Sequence, residues 1–227
     1  TKKKAAYQQE ATRLAYKDIS FSQMVWVFMI GSVIGYEVET LFCLITSGVL
    51  ESRQGMLYGP FSQVYGFGAV ILVLLLAPLA RKGDQWVFFG GMLIGGLFEA
   101  AASLIQEAVF GSVSWGYSEQ SFSLFGGRTS LLYMCFWGIL SVIYMKSIYP
   151  HMTKLINRIP KRPKVFFTVI IAVSLTVNML LSAMAVGRWG ERISGQPAQD
   201  AVQVWLDAHY PDDMLREIYP NMQFFDK

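Results

Sequence analysis

The chain has 227 residues, 53% of them hydrophobic and only 15% charged, with a mean hydropathy of +0.38. A soluble domain of this size usually carries about 25% charge, whereas here the charges are absent from long runs and gathered between them, the pattern of a chain whose middle portions have lipid as their solvent. The net charge of +3 lies in short connections and gives no nucleic-acid surface, and two cysteines inside apolar runs, Cys43 and Cys135, argue against a disulfide framework.

In chain order, residues 1–20 alternate apolar and polar at helical spacing through Ala5, Tyr7, Leu14 and Ala15, which predicts a short amphipathic helix lying at the membrane surface. A polar stretch through Asp18 separates Lys2, Lys3 and Lys4 from the first apolar run, so the start does not read as a cleaved signal peptide. Five spans follow, at about 21–47, 57–80, 86–110, 129–149 and 164–187, each near the roughly 20 residues that a bilayer requires. Pro150 is the expected stop of the fourth. The predicted fold is an all-α polytopic bundle of about five transmembrane helices, divided into a surface segment at 1–20, a membrane domain at 21–188 and a tail at 189–227. A short helix is expected at 198–209, with Pro211 after it.

Lys and Arg set the expected orientation. The stretch before the first span holds five, the turn after the second span two, and the 146–164 connection six. The loops on the other side hold one each, Arg53 and Arg128. The asymmetry predicts a cell-membrane protein with a cytoplasmic N-terminus, an odd number of crossings and an extracytoplasmic C-terminal tail.

The first and third spans share a pattern. One reads Gly31, Ile34, Gly35, Glu39, Leu44, Ile45 and the other Gly91, Ile94, Gly95, Glu99, Leu104, Ile105. This predicts a parallel repeat of two hairpins plus one further helix. Gly31, Gly35, Gly91 and Gly95 are the expected helix-packing residues, with spans one and three meeting near the repeat axis. The same small-residue seams would also suit a homodimer.

Ionisable groups inside a span cost several kcal/mol unless paired or wetted. Glu39 and Glu99 lie in the outer halves of their spans, with Glu107 two turns beyond Glu99 and Glu37 facing away from Glu39. Arg53 and Arg128 stand at the outer ends of spans two and four. Two readings are open: an outward-facing site for a substrate, ion or proton, or a set of buried salt bridges that hold the bundle together. The Tyr58-Gly59-Pro60 and Tyr65-Gly66-Phe67-Gly68 runs break span two and either line a cavity or permit close packing. Trp115, Tyr117 and Phe122 suit an interfacial belt or a lid. No nucleotide-binding GxxxxGK[ST], metal motif or hydrolase elbow is present, so neither cofactor nor metal is implied.

Several segments carry a resemblance. Gly35-Tyr36-Glu37-Val38-Glu39-Thr40 resembles a G-W-x-x-E-T motif, and Gly55-Met56-Leu57-Tyr58-Gly59-Pro60-Phe61 with Tyr65-Gly66-Phe67-Gly68-Ala69 resembles a G-F-L-Y-G-P-F…Y-G-F-G-A segment. Glu99, Glu107, Trp115-Gly116-Tyr117-Ser118, Phe122 and Gly127-Arg128, then Phe136-Trp137-Gly138 and the tail residues Tyr210-Pro211-Asp212 and Tyr219-Pro220-Asn221-Met222, continue the similarity. Together they resemble the bacterial family of CmpB-like, type IV ABC-transporter permeases over about residues 21–222. This chain departs from the pattern at Gly116, where the family has aspartate, at Ser123, where it has asparagine, by one extra residue before Arg128, and by an arginine displaced to Arg53. The resemblance implies a permease and adds Arg128, Tyr58 and Tyr117 to the candidate site. With Glu39, Glu99, Glu107, Tyr65, Trp115 and Arg53, these are the expected substrate-binding residues.

The function expected is therefore a transporter or permease subunit embedded in the lipid bilayer, with any ATPase supplied by another chain. Two alternatives stay open: an enzyme acting on a lipid or isoprenoid, for which no nucleophile or metal set is visible, and a structural or sensory subunit of a membrane complex.

Overall fold

The computed structural model describes residues 19–225, so most of the expected surface helix at 1–20 lies outside the described residues. Helix α1 (Phe21–Ser47) starts where the Ser20 hydroxyl accepts the Gln23 N–H and ends at Gly48, whose φ of 73° suits glycine. Helix α2 (Gln63–Leu76) is followed by a 3-10 turn (Leu79–Arg81), and α3 (Asp84–Phe110) closes on Gly111 at φ 63°. Helix α4 (Leu131–Ile143) is capped by Ser130. A π turn (Tyr144–Ile148) joins it to α5 (Tyr149–Asn157), and α6 (Lys161–Ile193) follows. The tail carries α7 (Ala201–His209) and α8 (Asp212–Ile218). The fold is thus an all-α membrane bundle, and among the described residues four helical stretches, at Phe21–Ser47, Asp84–Phe110, Leu131–Asn157 and Lys161–Ile193, are long and apolar enough to cross a membrane.

Two elements differ from the sequence expectation. The helical part of the second span begins only at Gln63, and its 14 residues reach roughly 21 Å, short of the roughly 30 Å hydrocarbon core. Residues 57–61, with Gly59 at φ 78° and Pro60 after it, enter the bundle as irregular backbone. Their polar groups are met from α6: Leu57 N–H donates to Ser182 Oγ at 2.8 Å, Tyr58 N–H to Asn178 Oδ1 at 3.2 Å, and Asn178 Nδ2 donates to Tyr58 O at 2.7 Å. Irregular backbone at membrane depth is tolerated where protein satisfies it. Nor does Pro150 stop the fourth span, because the π turn just before it widens the helix, with Tyr149 N–H reaching Tyr144 O, so the missing proline donor interrupts nothing.

The repeat is written into the packing. In the first hairpin an added Cβ at Gly31 would stand 2.8 Å from Ala69 Cβ, Gly35 lies directly against Tyr65, and Gly66 faces the Phe28 ring. In the second, Gly91 lies against Ser141, Gly95 against Trp137, and Gly138 faces the Phe88 ring. These are the same contacts at matched places. The four expected packing glycines therefore seal each hairpin internally, α1 on α2 and α3 on α4, instead of joining span one to span three. The hairpins meet through α2 and α3, where Gly68 approaches Phe98 and Gly90 approaches Leu76. Both α1 and α3 run antiparallel to α2, so they are parallel to one another. Helix α6 runs the same way, its start near Ser22 and Trp26 through Thr168 and its end against Phe110 at Gly190.

Two apolar clusters close the ends. One gathers Val27, Leu72, Val73, Leu76, Tyr149 and Ile156 around the start of α1. The other, where α1, α3 and α6 end, packs Leu57, Trp189, Leu206, Tyr210, Leu215 and Tyr219. The tail is tied there by an antiparallel pair, β1 (Ser112–Val113) with β4 (Gln223–Phe224), and by an ionic network in which Arg188 and Arg192 share Asp207 and Arg192 reaches Asp212. A second short pair, β2 (Ser123–Leu124) with β3 (Thr129–Ser130), folds the 111–128 loop.

Candidate functional site

Each hairpin sets one glutamate and one arginine toward the end where α1, α3 and α6 finish. On α1, Glu39 is partly buried, near the Tyr65 side chain and close to the Arg53 charge. Arg53 Nη2 donates to Cys43 Sγ at 2.9 Å and approaches Glu51 Oε2 at 3.5 Å. On α3, Glu99 is 8% exposed. It accepts Tyr117 O–H at 2.7 Å on Oε1 and Thr129 O–H at 2.7 Å on Oε2, and the Trp137 side chain lies close by. Arg128 Nη1 donates to Ser103 Oγ at 3.0 Å and Nη2 pairs with Glu107.

The halves correspond residue by residue. Tyr65 and Trp137 each lie on the glycine one turn before a glutamate, Gly35 and Gly95, and each comes near that glutamate. Cys43 and Ser103, one helical turn beyond the two glutamates, each receive the arginine of their own half. Tyr65 and Trp137 stack with ring centroids 6.5 Å apart, and Tyr65 feels the charges of both glutamates. An aromatic pair thus fills the space between the carboxylates.

The remaining candidates have separate places. Tyr117 lies against Tyr133, ring centroids 4.2 Å apart, and burial, followed by the Glu99 charge, raises its pKa, so it stays a proton donor. Trp115 Nε1 donates to the Arg128 carbonyl at 3.3 Å and steadies that residue's backbone. Tyr58 lies away from both carboxylates, its hydroxyl 2.9 Å from that of Tyr210 in the tail. Glu37 and Phe122 are exposed. Thr129, Trp137, Cys43 and Asn178 are not among the site residues expected from the sequence. Asn178 and Ser182, four residues apart on one face of an apolar span, were the available signal for a buried polar partner there. Among the described residues no group of three His, Cys, Asp or Glu side chains could hold a metal ion.

Chemically, carboxyl groups met by neutral O–H donors, with guanidinium groups in the same half-sites, suit binding of a polar group or handling of a proton. No curated protein and no solved structure matches the chain. A family model described as "Putative ABC-transporter type IV" matches residues 26–183, which takes in both hairpins and most of α6 but not the tail. That match spans well over half of the 227 residues, and the chain belongs to this ABC-transporter-type membrane protein family.

Proposed function

We propose that the chain is a permease-type membrane protein whose polar site, built on Glu39 and Glu99 with Arg53 and Arg128, takes up a polar solute from the extracytoplasmic side. Duplication is the supporting observation: two intramembrane carboxylates, each with an aromatic side chain on the glycine one turn before it and an arginine bonded to the side chain one turn after it, recur at matched positions of two hairpins. Keeping a carboxyl group in a span costs several kcal/mol, and salt bridges alone explain it poorly, since Glu99 is held by neutral donors while Arg128 pairs with Glu107.

The basic residues of 81–82 and 146–164 favour a cytoplasmic side opposite the tail. With five crossings, counting the short α2 together with its irregular entry, the N-terminus is cytoplasmic and the tail extracytoplasmic. Because the sequence lacks a GxxxxGK[ST] motif, the ATPase of an ABC arrangement is a separate chain, docked on the 81–84 turn or the 146–164 connection. The test compares right-side-out membrane vesicles carrying the wild type or the Glu39→Gln, Glu99→Gln double variant at equal membrane abundance. Untargeted mass spectrometry of the lumen should find a polar solute whose ATP-dependent content changes with the wild type and not with the variant. Identical contents in the two preparations would refute the permease reading.

A further inference from the structure

We infer that the two half-sites of the proposed permease site have diverged: the first makes the direct contacts to the ligand, a small zwitterion carrying both an amine and an oxyanion, while Glu99 and Arg128 of the second border the site with their own bonds already made inside the protein. The inference rests on the permease reading only for the route by which the solute arrives.

The unpartnered polar atoms carry it. Thr40 Oγ1, Arg53 Nε and Gln63 Oε1 are buried and have no hydrogen-bond partner. All three belong to the first half-site. Arg53 reaches Cys43, which lies three residues after Thr40 on the same side of α1. Gln63 Oε1 occupies the space over Gly55, two residues from Arg53, and Tyr65, two residues on, lies near Glu39. Buried polar atoms are nearly always paired, so unpartnered atoms on Thr40, Arg53 and Gln63, all in the first hairpin and two of them beside the Cys43–Arg53 contact, mark a place built for something else.

The second half supplies the internal control. With Glu39 matched to Glu99 and Tyr65 to Trp137, Thr40 corresponds to Ala100 and Gln63 to Cys135. The positions that are polar and unpartnered in one half are apolar or a thiol in the other. There the arginine is taken up by Ser103 and Glu107, and the carboxyl by Tyr117 and Thr129. The Ser32 and Ser141 hydroxyls, packed on Gly66 and Gly91, and the Trp189 and Tyr219 side chains at the tail cluster also lack partners, but none of these lies with an arginine and an intramembrane carboxyl of its own half, as Thr40 and Gln63 do.

The free groups define the ligand. Arg53 Nε–H and the Thr40 hydroxyl offer donors to an oxyanion, while Gln63 Oε1 and the Glu39 carboxyl accept from an ammonium. A lone anion would confront Glu39 and Glu51, and a lone cation would leave Arg53 Nε unmet. A zwitterion satisfies all four groups and adds no net charge to a low-dielectric site.

The test uses the full chain in lipid nanodiscs with glycine, β-alanine and γ-aminobutyrate as probes of graded length, and propionate and propylamine as single-charge controls. At least one amino acid should raise the melting temperature and bind by calorimetry, while the two controls do neither. Thr40→Val and Gln63→Leu should each weaken that binding on the order of tenfold, the loss of one buried hydrogen bond to a charged group. Their ligand-free melting temperatures should hold or rise, because these atoms have no partner to lose. Ser103→Ala should lower the melting temperature and leave affinity unchanged. The inference is overturned if no amino acid binds the wild type, or if Thr40→Val and Gln63→Leu bind as the wild type does. A fall in ligand-free melting temperature in these two variants would equally overturn it, since ordinary buried water would then be the partner. Amino-acid binding without vesicle transport would sink the permease reading alone, and vesicle transport of a solute that is not zwitterionic would sink this inference alone.

Discussion

Gly35 and Gly95 show how single residues set the geometry of the half-sites. Each lets an aromatic side chain lie on the helix backbone one turn before the glutamate, and so brings it beside the carboxyl. An alanine methyl at Gly95 would meet Trp137 at its Cβ and Cγ, the rigid base of the side chain. Gly95→Ala should therefore destabilise the protein by about 1–3 kcal/mol through overpacking. Gly187 lies in α6 with nothing within 4 Å of an added Cβ, so Gly187→Ala should stabilise by about 0.5–1 kcal/mol through helix propensity. Thermal unfolding followed by tryptophan fluorescence distinguishes the two, and equal shifts would contradict the assignment of Gly95 to close packing. The glycine spacing and both glutamates were legible in the sequence, because a matched pattern in two apolar runs survives without any alignment. The partner of each glycine was not, since spacing fixes which face is small but not which helix covers it.

The element that departs most from a plain helix bundle is the entry to α2. A run of apolar residues through Leu57 reads as membrane-spanning by hydropathy alone, yet Gly59 and Pro60 keep it from starting as helix, and Asn178 and Ser182 supply the hydrogen bonds that helix would have given. Asn178→Ala removes the partners of the part-buried N–H and carbonyl of Tyr58, while Ser182→Ala strands the buried Leu57 N–H. The expected costs are about 1–3 kcal/mol for each stranded group, so Asn178→Ala should be the more damaging. Amide exchange at Leu57 and Tyr58 should accelerate in either variant before the α1 and α3 amides respond. Unchanged exchange would mean that α6 does not hold this segment. The same lesson applies at Pro150, where a local stop signal lost to a π turn that only the continuing helix reveals.

Over the whole molecule, the tail is part of the bundle's end and not a loose appendage. Tyr210 meets Tyr58 of the irregular entry, and β4 pairs with β1 at the end of α3. The ionic anchor is Asp207, whose carboxyl is held below the usual range first by its hydrogen bonds to Arg188 and then by those to Arg192, with Glu191 and Asp212 completing the group. An unfolded aspartate titrates near pH 3.9. A depressed folded value gives stability that is present above that pH and lost as pH falls through the lower, folded value. Burial, with the hydrogen bond to Tyr58, pushes Tyr210 up to about 12, which adds stability that is lost as pH rises from about 10 towards 12. Tail docking, followed by Trp189 and Trp205 fluorescence, should thus be flat from about pH 5 to 9 and fail at both extremes. Asp207→Asn should weaken docking at neutral pH and flatten the acid limb. An acid limb that persists unchanged in this variant would place the anchor elsewhere.

By itself the sequence determined the solvent of the chain, its helical class, the glycine and glutamate repeat, and the family to which it belongs. These follow from local quantities: residue transfer energies, 3.6-residue periodicity and motif order, all legible without knowing what touches what. Only the tertiary structure decided that the glycine seams close each hairpin on itself and that Tyr65 and Trp137 face each other between the carboxylates. It also decided that Asn178 and Ser182 complete the backbone of a distant segment. Those outcomes depend on contacts between residues up to 125 positions apart, and a polar side chain in an apolar run announces that it needs a partner without naming it.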